Sequence, residues 1–218
     1  MDWNSPAGRL LLEFASFLPG DRHHSVTVFG SAPLQLGIDP DFLSVDVDIF
    51  SDEDFRELIS RHSLGKGQRA VYLDQCEPST FAATPDWPVR AFTARVGKNE
   101  FCFPHPIDIL VSKLPRLEEK DLAAFRLVFH KTGLPTEEQL KGALMNAVDL
   151  YRPRFAEESH ASDIYANTRT VWKELYGKEI EVRNEIVTPA LERRKVSHQP
   201  GAQDWKKQLG EIGRRKDS

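Results

Sequence analysis

Two cysteines in 218 residues, Cys76 and Cys102, are too few for a disulfide framework or a thiolate metal cage. Both fall in apolar stretches that read as strands, where a reduced thiol is a small core residue. Long apolar runs are missing as well, and no stretch approaches the roughly 20 residues of a membrane-spanning helix. The opening residues Met1-Asp2-Trp3-Asn4-Ser5-Pro6 carry neither the basic start nor the apolar core of a secretory leader. A cytoplasmic location with no membrane partner is therefore expected. Excess positive charge is absent: 29 Lys+Arg against 33 Asp+Glu give a net charge of -4, which removes a bulk electrostatic case for nucleic-acid binding. No Gly-x-x-x-x-Gly-Lys-Ser/Thr loop occurs, and Gly65-Lys66-Gly67 is too short to act as one. The histidines show no zinc spacing, and no serine sits in a nucleophile elbow.

What is present is an ordinary globular composition, 40% hydrophobic, long enough for one sizeable core or two smaller ones. Hydrophobic spacing predicts a helix over 6–18, closed by Pro19-Gly20-Asp21. A buried strand over 25–29 follows, then a short helix opening at Ala32-Pro33 and a strand over 44–50. Ser51 reads as the N-cap of a helix through Leu58 and Ile59. A third strand is expected over 70–74, a proline-bearing loop over 77–88 with Trp87 as its core anchor, and a hairpin around Gly97-Lys98-Asn99. His23-His24 reads as a polar loop.

From Pro106 the texture is helical, over 107–129, 136–150, 155–176 and 180–194. The polar stretch from Ser197 reads as a mobile tail. The basic clusters Arg193-Arg194-Lys195, Lys206-Lys207 and Arg214-Arg215-Lys216 read as solvated charge. The fold class expected is α+β: a small mixed β-sheet with flanking helices in residues 1–105, a helical part in 106–196 packed on it, and a tail in 197–218.

The chemistry concentrates in two runs, Val28-Phe29-Gly30-Ser31 and Ser44-Val45-Asp46-Val47-Asp48-Ile49-Phe50. Alternate strand residues share a face, so Asp46 and Asp48 project side by side while Val45, Val47 and Ile49 turn to the core. Two carboxylates held that close repel, and a divalent cation, Mg²⁺ or Mn²⁺, relieves them. The Gly-Ser turn offers backbone N–H groups and a hydroxyl suited to phosphate. An isolated Asp-x-Asp also occurs in glycosyltransferases and haloacid-dehalogenase phosphatases. The phosphatase pattern wants a small hydroxyl or β-branched residue after its nucleophile, where this chain has Ile49-Phe50.

The combination of Phe29-Gly30-Ser31, a spacer holding the short helix and the Gly37 loop, and Asp46-Val47-Asp48-Ile49 resembles the nucleotidyltransferase superfamily related to DNA polymerase β. The stretch Pro106 to Leu114 leading into Arg116 and Glu119-Lys120-Asp121-Leu122 is similar to small bacterial members, among them the toxins of abortive-infection-type toxin–antitoxin systems. The resemblance covers residues 25–130. It implies transfer of a nucleoside monophosphate from a nucleoside triphosphate to an acceptor hydroxyl on tRNA, a protein or a small molecule. It implies two Mg²⁺ ions on Asp46, Asp48 and a third carboxylate, best matched by Asp74, with Glu77 and Asp108 as alternatives. Gly30 and Ser31 would hold the β- and γ-phosphates. Lys113 would neutralise triphosphate charge, and Asp121 would order the site or help activate the acceptor. On a continuous helix Lys113, Arg116 and Lys120 share one face, a basic stripe for a phosphate chain, and both lysines are expected to face the carboxylates. Asp108, just after Pro106, otherwise reads as a first-turn acid answering the helix dipole. The rival from another class is a non-catalytic interaction or antitoxin-like module that kept the same fold.

Overall fold

The computed structural model describes residues 1–42, 44–152 and 163–195. It is a mixed α/β protein with its sheet in the first half and helices toward the C-terminus. Helix α1 (Pro6–Phe17) starts at Ser5, whose hydroxyl accepts from the Gly8 amide, and Pro6 is tolerated because a first-turn N–H has no helical partner. Strand β1 (Ser25–Val28), helix α2 (Ala32–Gly37), strand β2 (Asp46–Phe50), helix α3 (Arg56–Arg61) and strand β3 (Tyr72–Gln75) follow. The β3–β4 connection carries a 3₁₀ turn at Pro78–Thr80 and the single-turn helix α4 (Trp87–Arg90). Strands β4 (Phe92–Val96) and β5 (Asn99–Phe103) form an antiparallel hairpin closed by Gly97-Lys98, with Gly97 at φ +62°.

The sheet order is β3-β2-β1-β5-β4. β1 runs antiparallel to β2 and parallel to β5, and β2 runs parallel to β3. One face is apolar: Val26, Val28, Val47, Ile49, Leu73, Phe101 and Phe103 are buried against Leu10, Leu11 and Phe14 of α1. Burying one face of each strand is what specifies register, because a one-residue slip would turn every apolar side chain to water.

Helices α5 (Pro106–Lys113), α6 (Glu119–Thr132), α7 (Glu137–Asn146) and α8 (Ile164–Tyr176) build a second core around Ile109, Leu110, Phe125, Leu144 and Trp172, with Leu34 of α2 reaching into it. A π-type turn at Arg183–Val187 buries Ile186 against the same cluster. Thr136 and Gln139 form a capping box at α7, Asp163 caps α8, and Gly133 and Gly177 end α6 and α8 in the left-handed conformation. Among the described residues no helix is long and apolar enough to cross a membrane.

Several local expectations are corrected. The helix read over 107–129 is two helices. Pro115 has no N–H to continue the ladder, and Leu117 turns left-handed at φ +42°. Strand β2 begins at Asp46, so Val45 is not a core residue; it is 53% exposed. Ser51 does not cap α3. Its hydroxyl donates to the Ser25 carbonyl, and the helix starts five residues later. His24 is fully buried rather than part of a polar loop, with Nδ1 on Glu53 and Nε2 on the Pro19 carbonyl. Cys102 lies in β5, but Cys76 sits just past the end of β3. The tail from Ser197, the basic clusters within it and the start of the helix read over 155–176 lie outside the described residues.

Asp108 stands in the first turn of α5, as read, but it is buried and does more than face the helix dipole. Its buried carboxylate accepts from Arg90 Nε at 3.0 Å, from a second Arg90 nitrogen at 2.6 Å and from the Thr84 hydroxyl at 2.6 Å. This ties the β3–β4 connection to the start of α5. Trp87 reinforces the tie by packing edge-on against Phe29 and Phe81. Glu77 instead meets Arg56 at 3.5 Å, with both side chains well exposed. Breaking a buried pair strands the other charge, whereas an exposed pair contributes little. Arg90 is partly exposed and keeps its pair with Asp86, so Asp108→Ala is expected to lower unfolding free energy by about 1–3 kcal/mol in chemical denaturation, and Glu77→Ala to stay within about 0.5 kcal/mol of wild type.

Candidate functional site

The polar face of the sheet holds the carboxylates. Asp46 and Asp48 alternate with the fully buried Val47 and Ile49, so both turn away from the core. Parallel pairing sets Asp48 directly opposite Asp74 on β3. Neither the Asp46 nor the Asp48 side chain accepts a hydrogen bond within the described residues. Partial burial pushes the Asp48 pKa up to about 6, with the charges of Asp46 and then Asp74 acting in the same direction. Lys113 and Arg116 only partly offset them.

β1 delivers Gly30 and Ser31 against this pair. The Phe29 amide donates to the Asp48 carbonyl at 2.8 Å, which carries the β1–β2 ladder to the edge of the site. Gly30 then turns at φ +63°, and a Cβ there would stand 2.4 Å from Asp48 Oδ2. Both the backbone conformation and the space demand glycine. Ser31 Oγ accepts from Lys113 Nζ at 2.9 Å.

Lys113 is anchored from α6. Its ammonium, 8% exposed, also donates to Asp121 Oδ1 at 3.1 Å. Arg116 donates to both Asp121 oxygens at 2.9 Å, and the Glu118 amide donates to Oδ2 at 3.1 Å. Burial raises the Asp121 pKa, but the Arg116 bonds, the Lys113 charge and the Glu118 amide outweigh it, so its carboxyl titrates below the ordinary range. Asp121 is fully buried, and its oxygens are committed to the two cations and the Glu118 amide. Two of the three Lys113 donors are used, which leaves one for a ligand.

These groups line one cleft of about 570 Å³: Gly30, Ser31, Asp46, Asp48, Lys113, Arg116 and Lys120, with Asp39, Phe42, Val45, Ala123 and Leu127 completing its walls. The basic stripe is not one helix face, because the turn at 114–118 intervenes, yet Lys113, Arg116 and Lys120 all reach the cleft. Lys120 also pairs with Glu118 at 3.3 Å. Asp74 shares the sheet face but is exposed and lines a neighbouring groove with Arg56 and Lys66. Glu77 and Asp108 do not line the cleft. The sequence reading missed Phe42, Ala123 and Leu127. The last two repeat with Lys120 at helical spacing and were legible once α6 was placed. Nothing local marks Phe42.

A divalent cation fits this donor set. Two adjacent carboxylates without protein hydrogen-bond donors are suited to Mg²⁺, which commonly takes one or two carboxylates and fills its shell with water and phosphate oxygens. Asp46 and Asp48 are the residues that would hold it. Among the described residues no group of three or more His, Cys, Asp or Glu side chains is placed to hold a metal ion together. In comparison with known proteins the chain matches no family model, no curated protein and no solved structure.

The raised Asp48 pKa predicts a pH signature. As pH rises from about 4 to about 6, the unfolded chain releases this proton first, so the folded state loses stability across that window. Asp48→Asn removes the penalty. It is expected to melt with wild type near pH 4 and to be more stable by roughly 1–3 kcal/mol above pH 6 without metal, with Mg²⁺ narrowing the gap. A variant less stable than wild type at neutral pH would mean that the carboxylate is a structural anchor. Gly30→Ala is expected to cost at least about 1–2 kcal/mol from its left-handed backbone alone, measured by thermal melting.

Proposed function

We propose that this protein is a metal-dependent nucleotidyltransferase that moves a nucleoside monophosphate from a nucleoside triphosphate to an acceptor hydroxyl. The observation that carries the reading is the juxtaposition, in one cleft, of a repelling carboxylate pair with a glycine-serine turn and an anchored lysine. Asp46 and Asp48 line it with Gly30 against Asp48 and Ser31 bonded to Lys113, and the charges of Lys113 and Arg116 are felt at Asp48. The same three runs carry the resemblance to the polymerase-β-like superfamily in the sequence.

A divalent cation bound at Asp46 and Asp48 would supply Lewis-acid polarisation of the phosphoryl oxygens. The chain's own groups supply the rest. Gly30 lets the backbone approach the phosphates, and the Ser31 hydroxyl and the remaining Lys113 N–H bind their oxygens. Arg116, pinned bidentately by Asp121, presents its outer N–H groups at the cleft wall. Because Lys113 and Arg116 are held before substrate arrives, little reorganisation accompanies charge development. Asp74 adds negative charge next to Asp48 and is the candidate for a second cation with it.

A non-catalytic module on this fold is the competing reading. It gains from the placement of Asp74 outside the cleft. It loses from the Asp46–Asp48 pair itself, since a scaffold gains nothing from repelling carboxylates without donors. Incubation of the purified chain with Mg²⁺, labelled triphosphates and total cellular RNA or protein separates the two. Label is expected to transfer from α-labelled and not γ-labelled nucleotide. Asp46→Asn and Asp48→Asn should abolish transfer, and Lys113→Ala should lower it about 10²–10³-fold. Transfer of γ-label alone would point to phosphoryl transfer. No transfer of either label, with no Mg²⁺- or nucleotide-dependent melting shift, would favour the module.

A further inference from the structure

The cleft lining changes character along α6. On α6, Lys120, Ala123 and Leu127 line it at spacings of three and four residues, so one helix face runs from cationic to apolar over about 10 Å. The lining also takes in Val45, which is 53% exposed, and Phe42, a half-buried ring that packs against the edge of the helical core. Lys131, the next residue on the same α6 row, pairs at 3.0 Å with Asp39 of the lining. Phe42 is held in place from behind. The buried Gln35 donates from Nε2 to the Phe42 carbonyl at 2.6 Å while its Oε1 accepts from the Ala7 amide at 2.8 Å. The Phe42 amide also donates to the Asp39 carbonyl at 3.0 Å.

Resting on the nucleotidyltransferase reading, we infer that the Phe42–Ala123–Leu127 shelf is the nucleobase subsite. The ligand then lies along the cleft with its phosphates at Ser31 and Lys113 and its base against Phe42 and Leu127. The direction follows from charge. Lys113, Arg116 and Lys120 stand at or before the first turn of α6, whereas Ala123 and Leu127 further along it carry no charge, and Asp39 is already paired with Lys131. A flat heterocycle matches an aromatic and aliphatic shelf, since base–aromatic contact gains from both stacking and apolar burial. The cleft length from Lys120 to Leu127 is the scale that separates the two ends of a nucleoside triphosphate.

Titration calorimetry of the full chain in Mg²⁺ tests this with five probes: ATP, GTP, CTP, UTP and sodium tripolyphosphate, which has the charge and no base. At least one nucleotide is expected to bind tenfold or more tightly than tripolyphosphate. Phe42→Ala and Ala123→Phe, which removes or fills the shelf respectively, should weaken that nucleotide at least tenfold and leave tripolyphosphate within twofold. Ala123 sits on a half-exposed face of α6, so Ala123→Phe decides the matter alone if Phe42→Ala does not fold. Equal affinity of nucleotides and tripolyphosphate, wild-type nucleotide affinity in the variants, or parallel loss of both ligands would overturn the base subsite while keeping a phosphate-binding cleft. Binding of neither probe class would remove the nucleotide reading and the shelf with it.

Discussion

The buried carboxylate of Asp121 is the interaction on which the rest depends. It is the N3 residue of α6 and closes the capping box with Glu118, so it first serves its own helix. The same two oxygens hold Lys113 from the end of α5 and Arg116 from the intervening turn. Lys113 in turn reaches Ser31 at the end of β1. One side chain thus links the helical half of the protein to the strand that ends at the carboxylates. Such a group is costly to bury alone and persists because every lone pair has a charged or amide donor.

The two sides of the cleft are treated differently, and the difference is informative. The cations are fixed by a satisfied network. Among the described residues the side chains of Asp46 and Asp48 accept no hydrogen bond, and burial together with the charges of Asp46 and Asp74 raises the Asp48 pKa. A protein stabilised by this region would pair the two sets directly. Instead the cations are held by Asp121 and the carboxylates are left in tension, and the proposed ligand site rests on that difference.

The sheet makes the tension unavoidable. Antiparallel pairing of β1 with β2 brings Gly30 against Asp48, and parallel pairing of β2 with β3 sets Asp74 beside it. The β3–β4 connection is then pinned over Phe29 by Trp87 and by the Arg90–Asp108 pair, so the strand end that presents Gly30 is backed by a rigid wall. Movement of either strand by one residue would bury the carboxylates in the apolar face, and the core forbids it.

The amino-acid sequence by itself determined what depends on neighbours along the chain. The alternation around Asp46 and Asp48 placed them on one strand face, Gly30-Ser31 marked a strand end, and the helical periodicity after Pro106 separated an α/β half from a helical one. These follow from backbone period and turn chemistry, which act over a few residues. Apolar spacing running through Leu114 and Leu117 concealed the break between α5 and α6. Only the fold decided which distant charges meet. It joined Lys113 to Ser31 across 82 positions, gave the helix-end acid Asp108 a buried partner in Arg90, sealed His24 against Glu53, and brought Phe42 and Leu127 into one cleft. Long-range pairing is set by which surfaces must leave water together, and no local pattern carries that information.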